Sequence, residues 1–181
     1  MNKNRKQIQS IVIVGMMTAI LSVLSILQIP MPTGVPVTLQ TFAVALCGYV
    51  LGEKKGSLAV ALYLLLGLIG VPVYSGMTAG PGILFGMSGG FLFGFVGMTL
   101  ITGISVRYHN VAAKAVLSLA GLMLCHLLGV IQFSLVTGTG FFKSILLVSL
   151  PYLIKDVLSV AGAYLVSIAV RKGIAHAGVA Y

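Results

Sequence analysis

Two acidic residues, Glu53 and Asp156, are the only carboxylate side chains in this chain of 181 residues. Asp156 lies inside an apolar stretch that runs from residue 145 to residue 170. Hydrophobic residues make up 59% of the sequence and charged residues only 7%, which is too little charge for the surface of a soluble domain. The sequence therefore predicts an integral membrane protein. A carboxylate at the centre of a membrane helix costs about 2.5 to 3.5 kcal/mol, so Asp156 is a candidate functional residue.

Apolar segments separated by Gly, Pro or charged residues divide the chain into six predicted membrane-spanning helices. A helix needs about 20 residues to cross a bilayer, so residues 1–181 are predicted to form one all-α transmembrane domain with short loops. Pro151 should bend the last helix near its start. The predicted spans are 8–28, 37–52, 57–71, 83–106, 114–136 and 145–170.

The basic residues predict the orientation of these spans. Nine of the eleven lysines and arginines fall on one side of the bilayer when the spans alternate, and cytoplasmic loops are enriched in Lys and Arg. Both termini are therefore predicted to be cytoplasmic. The net charge of +9 does not indicate a nucleic-acid partner, because the basic residues are not clustered with aromatic residues. The nine are Lys3, Arg5, Lys6, Lys54, Lys55, Arg107, Lys114, Arg171 and Lys172.

The loops on the opposite, outward side contain many Gly, Pro and Thr residues and almost no charge. They are residues 29–36, 72–82 and 137–144, of which the last contains Lys143. Loops of this composition suit a lid over a small polar molecule better than a protein-docking surface. We therefore expect the functional site to open outward.

A glycine stripe runs along one face of the fourth predicted span, because Gly82, Gly86, Gly90 and Gly94 recur every four residues. Such a stripe is typical of close helix packing in membranes. At its outer end, Gly80, Gly82 and Gly86 would also let backbone groups approach a ligand. Both interpretations are compatible.

Asp156 and Lys155 are adjacent in the last span and point about 100° apart on a helix, so we expect them to have different partners rather than to pair with each other. Asp156 shares a face with Tyr152 and Ser159, and Lys155 also shares a face with Ser159. Neutralisation by neighbouring helices is the structural alternative to a function. Lys155 has the further alternative of extending to the outer surface.

Other polar residues within the spans are each typical of interhelical hydrogen bonds, namely Thr38, Gln40, His126 and Gln132. The sequence contains no phosphate-binding loop, no dinucleotide fingerprint and no His or Cys spacing that indicates a metal site. Glu53 is predicted at the opposite membrane face from Asp156, so the two cannot act as paired carboxylates. The sequence thus predicts no catalytic residue, no metal and no cofactor.

Four stretches of the sequence resemble the BioY family, the biotin-specific substrate-binding subunits (S components) of energy-coupling factor (ECF) transporters. They are residues 29–40 (IPMPTGVPVTLQ), 66–73 (LGLIGVPV), 88–94 (SGGFLFG) and 151–156 (PYLIKD). The resemblance implies a multi-pass protein of a bacterial-type plasma membrane that captures biotin at its outward end. Import would be energised by a separate transmembrane coupling subunit and two cytoplasmic ATPases. The absence of a phosphate-binding loop agrees with that division of labour.

The resemblance also implies which residues act. The ligand would be held by the outer loops and the last span, and hydrophobic residues that include Leu84 and Met87 would hold its ring and tail. In the first span, Gly15 and Ala19 match a small-residue motif expected to contact the coupling subunit, although ordinary helix packing is the alternative. The implied ligand-binding residues are Asp156, Lys155, Ser159, Thr78, Gln40, Thr38, Tyr74, Gly80, Gly82, Phe85 and Tyr152.

Three positions depart from the family pattern. Ser159 replaces the lysine of an Asp-x-x-Lys pattern, Leu92 stands where some members have arginine, and Thr78 aligns with a frequent asparagine. Asp156 is retained and would accept hydrogen bonds from the ureido N–H groups of biotin. Lys155 lies one turn from Ser159, about 6 Å along the axis, and we expect it to anchor the ligand carboxylate, with Ser159 and Thr78 giving hydrogen bonds. Because of these departures, a close relative of biotin stays open as the ligand.

Two other functions are compatible with the residues. A stand-alone ion-coupled carrier would exchange protons through Asp156 and His126. Transport without coupling subunits that is abolished by a protonophore would favour it. A membrane enzyme would use Asp156 as an acid or base with no second group to help it, and it would chemically alter its ligand.

Overall fold

The structure is a computed structural model that describes residues 3–176. The chain ends, predicted to be cytoplasmic, lie partly outside this range. The described residues form an all-α fold, as predicted, with one two-stranded antiparallel ribbon. In chain order the elements are α1 (Lys3–Ile26), β1 (Gln28–Ile29), β2 (Val37–Thr38), α2 (Gln40–Leu68), a 3-10 turn (Ser75–Met77), α3 (Pro81–Leu84), α4 (Gly89–Ser105), α5 (Val111–Thr137), α6 (Phe141–Val148) and α7 (Leu150–His176).

Within residues 3–176, three helices are long and apolar enough to cross a membrane. They are Gln7–Ile26, Val111–Thr137 and Leu150–His176, and Gly89–Ser105 is a shorter apolar helix. Large apolar side chains point away from the fold, and Ile154 is 76% exposed. A surface of this kind suits contact with lipid. The six spans and the side on which the termini lie stay predictions.

The helix α2 is a hairpin that reverses at Gly52. Gly52 has a φ of 75° and a ψ of −176°, which are not helical angles and which glycine adopts readily. Gln40 Nε2 donates a hydrogen bond of 2.7 Å to the Tyr63 hydroxyl, although 23 residues of straight helix would separate the two by about 34 Å. The reversal lies where the sequence predicts the second span to end.

The helix α4 packs closely against α5 through two glycines of the predicted stripe. A Cβ atom on Gly90 would lie 2.2 Å from the carbonyl oxygen of Leu128, and one on Gly94 would lie 2.7 Å from Cα of Cys125. No larger residue fits at either position without moving a backbone. This confirms the packing interpretation for Gly90 and Gly94.

The predicted continuous span 83–106 is wrong at its outer end, because the helix is interrupted between Leu84 and Gly89. Glycines have low helix propensity, and Gln132 supplies the hydrogen bonds that the interruption needs. Its Nε2 donates to the carbonyls of Leu84 and Gly86 at 2.9 and 2.8 Å. The interhelical hydrogen bond expected of Gln132 is confirmed.

The predicted last span, 145–170, consists of two helices. α6 ends at Val148 and α7 begins at Leu150, with Ser149 between them. Pro151 has no N–H and disfavours helical geometry in the residue before it. The bend expected near Pro151 is therefore present as a break between α6 and α7, and it lies close to the charged pair of α7.

Candidate functional site

A cavity of about 220 Å³ lies between the loops that follow α1 and α2 and the helices α4, α5 and α7. The structure brings most of the predicted ligand-binding residues together around it. Those that line it are Thr38, Gln40, Tyr74, Thr78, Tyr152, Lys155 and Asp156.

The remaining predicted residues do not line this cavity. Phe85 is 68% exposed in the interruption before α4. Ser159 lies on a shallow outer groove with Pro151 and Ile154. The amide of Gly80 donates to the Gly67 carbonyl at 2.7 Å. The residues placed outside the lining are Ser159, Gly80, Gly82, Leu84, Phe85 and Met87.

An apolar wall of the cavity was missed by the sequence analysis. It comprises Phe91, Leu92 and Phe95 of α4 and Leu122 of α5. Phe91 and Phe95 are four residues apart and therefore share a helix face. That spacing was available in the sequence, but it does not distinguish a cavity wall from a packed core.

Asp156 is buried, and its two carboxylate oxygens have different surroundings. Oδ2 lies 3.2 Å from His126 Nε2, while Oδ1 contacts the Lys155 ammonium. The Thr41 hydroxyl lies beside the same carboxylate. Oδ1 makes no hydrogen bond of ordinary geometry within the described residues, so its partner is the Lys155 ammonium alone.

The contact between Lys155 and Asp156 corrects a prediction. From their 100° separation on the helix we expected no ion pair between them, but Lys155 Nζ contacts Asp156 Oδ1. The lysine side chain has a flexible four-carbon stem, so its ammonium can reach Asp156 although the two Cβ atoms point in different directions. The lysine side chain is 30% exposed, so it does not extend fully outward either.

His126 of α5 connects Asp156 to the break between α6 and α7. Its Nδ1 lies 2.9 Å from Ser149 Oγ, and its ring meets the Phe91 ring edge to face at 5.8 Å. The interhelical hydrogen bond expected of His126 is thus confirmed. Four polar side chains form a continuous line, in the order Ser149, His126, Asp156 and Lys155.

Helix α7 also holds the loop that follows α1. Lys155 Nζ donates to the Thr38 carbonyl at 3.2 Å. One turn earlier, the Tyr152 hydroxyl donates to the Val35 carbonyl and lies 3.0 Å from Thr33 Oγ1. The loop and the charged pair are therefore positioned by the same stretch of helix.

Three predicted polar residues at the cavity already have partners in the protein. Gln40 accepts from Thr38 Oγ1 at 3.1 Å and donates to Tyr63. The Tyr74 hydroxyl donates to the Leu64 carbonyl at 2.6 Å. The bond to Tyr63 joins the two arms of α2 and confirms the interhelical hydrogen bond expected of Gln40. Thr38 lies in β2 and bonds to Gln40 two residues away, so its side-chain contact is local and not interhelical.

Thr78 is likewise engaged, since its Oγ1 donates to the Ser75 carbonyl at 2.9 Å. Among the lining residues the charged side chains are Lys155 and Asp156. Within residues 3–176 there is no group of three or more His, Cys, Asp or Glu residues that could hold a metal ion. The cavity thus offers one buried acid, one lysine at its edge and an aromatic wall.

The small residues of α1 lie on its outer face. Gly15 and Ala19 are both exposed, and a Cβ atom on Gly15 would meet nothing within 4 Å. They do not pack against another described helix of this chain, so the face they form is open to a partner or to lipid.

Comparison with known proteins identifies relatives over most of the chain. The BioY family model matches residues 1–176. The biotin transporter BioY2 of Lactococcus lactis subsp. cremoris is 34% identical over 173 residues, which cover 94% of each chain. The biotin transporter BioY of Thermotoga maritima is 35% identical over 159 residues, covering 87% of this chain and 93% of the relative.

A solved structure is also similar in fold. The S-component for biotin from an ECF-type ABC transporter matches with a TM-score of 0.81 and 26% sequence identity. The match covers 95% of this chain and 93% of that one.

Proposed function

This chain belongs to the BioY family, and we propose that it captures biotin as the S component of an ECF transporter. It is a membrane protein and a transport subunit rather than an enzyme. The names of its relatives support biotin as the ligand, and the likeness to a solved S-component supports the assembly.

The observation that carries the proposal is the placement of Asp156 in the lining of the cavity, where Oδ1 is held by the contact with Lys155 and not by a hydrogen bond. The ureido ring of biotin has two N–H donors, and a carboxylate is a strong acceptor for them. Phe91 and Phe95 provide the apolar surface on which a fused ring and an aliphatic tail can rest. Polar groups that are few and well placed then fix the orientation of the ligand.

The carboxylate of biotin needs a cation, and Lys155 supplies one at the cavity. In the structure its ammonium contacts Asp156 and the Thr38 carbonyl. We propose that it exchanges Asp156 for the ligand carboxylate when biotin enters, so that each charge of the pair has a partner in the complex. The flexible lysine stem permits that exchange.

The cavity is proposed to open on the extracellular side. It is lined by the loops after α1 and α2, whereas Glu53 at the α2 reversal pairs with Arg107 at the end of α4. The basic residues near that reversal would face the cytoplasm by the positive-inside rule. Biotin would then enter beneath the loops at 29–36 and 72–82.

Energy for import is proposed to come from a transmembrane coupling subunit and two cytoplasmic ATPases. The exposed pair Gly15 and Ala19 offers a smooth helix face to such a partner, because small residues let two helices approach closely. We expect Gly15→Leu to abolish uptake in cells that contain the coupling subunits, while purified protein binds biotin normally.

The decisive experiment is to purify the chain from cells grown with biotin and to identify by mass spectrometry what stays bound. Recovery of biotin, followed by saturable rebinding to stripped protein, is the expected result. Recovery of a different small molecule, with no binding of added biotin, would contradict the proposal.

The contact between His126 and Asp156 supports a second candidate, a stand-alone carrier that exchanges protons through this pair. Uptake assays in a host without coupling subunits distinguish the two functions. An S component is expected to import little biotin there. Substantial uptake that a protonophore abolishes would favour the carrier.

A further inference from the structure

Asp156 is held by a short polar chain whose members are all partly or fully buried, and His126 and Lys155 of that chain line the cavity beside it. The carboxylate and the imidazole of His126 are 8% and 5% exposed. His126 Nε2 lies 3.2 Å from Oδ2, and Nδ1 lies 2.9 Å from Ser149 Oγ. Lys155 contacts the other carboxylate oxygen, so His126 and Lys155 act on different oxygens, and the Thr41 hydroxyl is a third neighbour of the carboxylate.

The chemistry of the groups fixes the direction of these hydrogen bonds. An ionised carboxylate can only accept, so Nε2 of His126 carries the hydrogen that Oδ2 receives. In a neutral imidazole the other nitrogen then accepts, and the Ser149 hydroxyl donates to Nδ1. The carboxylate therefore selects the form of His126 that donates from Nε2, and the Ser149 hydroxyl, which can donate or accept, adapts to it and fixes the ring at Nδ1.

Both ends of the imidazole are held by rigid surroundings. Ser149 sits in the break between α6 and α7, where its N–H donates to Ile145 and its carbonyl accepts from Tyr152, each at 3.1 Å. The Phe91 ring packs against the imidazole at 5.8 Å. The contact with Ser149 and the Phe91 ring restrain the imidazole from two directions, so it is suited to hold the carboxylate in one orientation.

We infer that His126 is a positioning residue for ligand binding, which holds Oδ2 of Asp156 so that Oδ1 is presented to an N–H donor of the ligand. Without His126, Oδ2 loses its hydrogen bond, and the carboxylate can rotate so that both oxygens interact with Lys155, which would compete with the ligand. The inference rests on the proposed function, because it assumes that the ligand is biotin and that Asp156 is its acceptor.

Two substitutions at position 126 separate the two contacts of the imidazole. Glutamine places its amide nitrogen where Nε2 lies and can still donate to Asp156, whereas asparagine reaches only the position of Nδ1 and keeps the Ser149 contact. Biotin affinity of the stripped, purified protein is measured by titration calorimetry. We expect His126→Asn to weaken binding about tenfold or more and His126→Gln to stay within about threefold of wild type.

The matched control is Ser118→Ala, which removes another buried interhelical hydrogen bond of α5, the 2.7 Å contact with the Tyr49 hydroxyl, away from the cavity lining. It is expected to leave biotin affinity unchanged. Equal losses in the asparagine and glutamine variants would overturn the inference, since the donor to Asp156 would then not matter. Wild-type affinity in His126→Asn would do the same.

If His126→Asn cannot be recovered as a monodisperse protein, the biotin affinity of Ser149→Ala is measured instead. This variant leaves His126 and Asp156 in place but removes the group that orients the ring, and we expect affinity to fall about threefold to tenfold. Unchanged affinity in Ser149→Ala would then reject the inference. A wild-type protein that binds no biotin would instead reject the proposed function on which it rests.

Discussion

The two acidic residues of this chain occupy opposite kinds of environment. Glu53 follows the reversal of α2 and pairs with Arg107, whose side chain is 65% exposed. Asp156 is buried between α5 and α7 and has His126 and Lys155 as partners. Exposed ion pairs contribute about 0 to 1 kcal/mol, whereas a buried charge must be compensated in full. Depth of burial, and not the carboxylate itself, therefore separates the proposed binding group from the acid at the α2 reversal.

The most direct test of this difference is to replace each acid by its own amide. Asp156→Asn removes the charged acceptor and leaves Lys155 without its partner, so we expect biotin affinity to fall about 100-fold. Glu53→Gln serves as the matched control, with a change of less than about twofold. Titration of stripped protein measures both, and equal affinities in the two variants would refute the distinction.

Lys155→Ala tests whether the buried acid works with the adjacent cation. We expect about a tenfold loss of biotin affinity, because the ligand carboxylate loses its ion pair. Biotin amide has no charge on its tail, so its weaker binding should be nearly the same in wild type and variant. Unaltered biotin binding by Lys155→Ala would show that the carboxylate is anchored elsewhere.

Tyr152→Phe tests how the loop after α1 is held, because it removes the hydroxyl that contacts this loop and keeps the aromatic ring in the cavity wall. The variant loses the hydrogen bonds to Val35 and Thr33, so the loop after α1 is held less firmly. We expect biotin to dissociate about threefold to fivefold faster, with little change in association. Stopped-flow or radioligand chase experiments measure the rate, and an unchanged dissociation rate would count against a lid role for this loop.

The smallest expected effect concerns Glu53 and depends on pH. The hydrogen bond from Arg107 holds the pKa of Glu53 below its usual range. Because the folded-state pKa is depressed, the stabilisation is present above the unfolded-state value and is lost as the pH falls through the folded one. Wild type should thus melt slightly above Glu53→Gln at pH 7, and the difference should shrink as the pH falls below the ordinary glutamate pKa of about 4.3. A thermal-shift series in detergent would detect a difference that persists in acid.

The sequence predicted the features that depend on composition and on single residues. The apolar stretches and the reversal near Gly52 followed from hydropathy and turn residues, and the burial of Asp156 followed from its place in an apolar stretch. The packing role of Gly90 and Gly94 followed from their spacing. Each of these rests on local chemistry, which a single sequence contains.

The features that were missed depend on tertiary contacts. The curl of Lys155 onto Asp156 reflects a side-chain conformation that helix geometry alone does not fix. The interruption before α4 depends on Gln132, a residue more than 40 positions further along the chain. Likewise, Ser159 shares a helix face with Lys155 yet lies outside the cavity, because the boundary between cavity and outer groove runs along that face.

The glycine contacts between α4 and α5 limit how this protein can change shape. Because no side chain separates Gly94 from Cys125, the backbones of α4 and α5 are in close contact. We therefore expect the two helices to move together as one rigid unit. Movement that empties the cavity is then expected in its other walls, which are the loops after α1 and α2 and the helix pair α6 and α7. A cross-link between α4 and α5 should for that reason leave biotin uptake intact. A cross-link between the loop after α1 and α7 should abolish uptake.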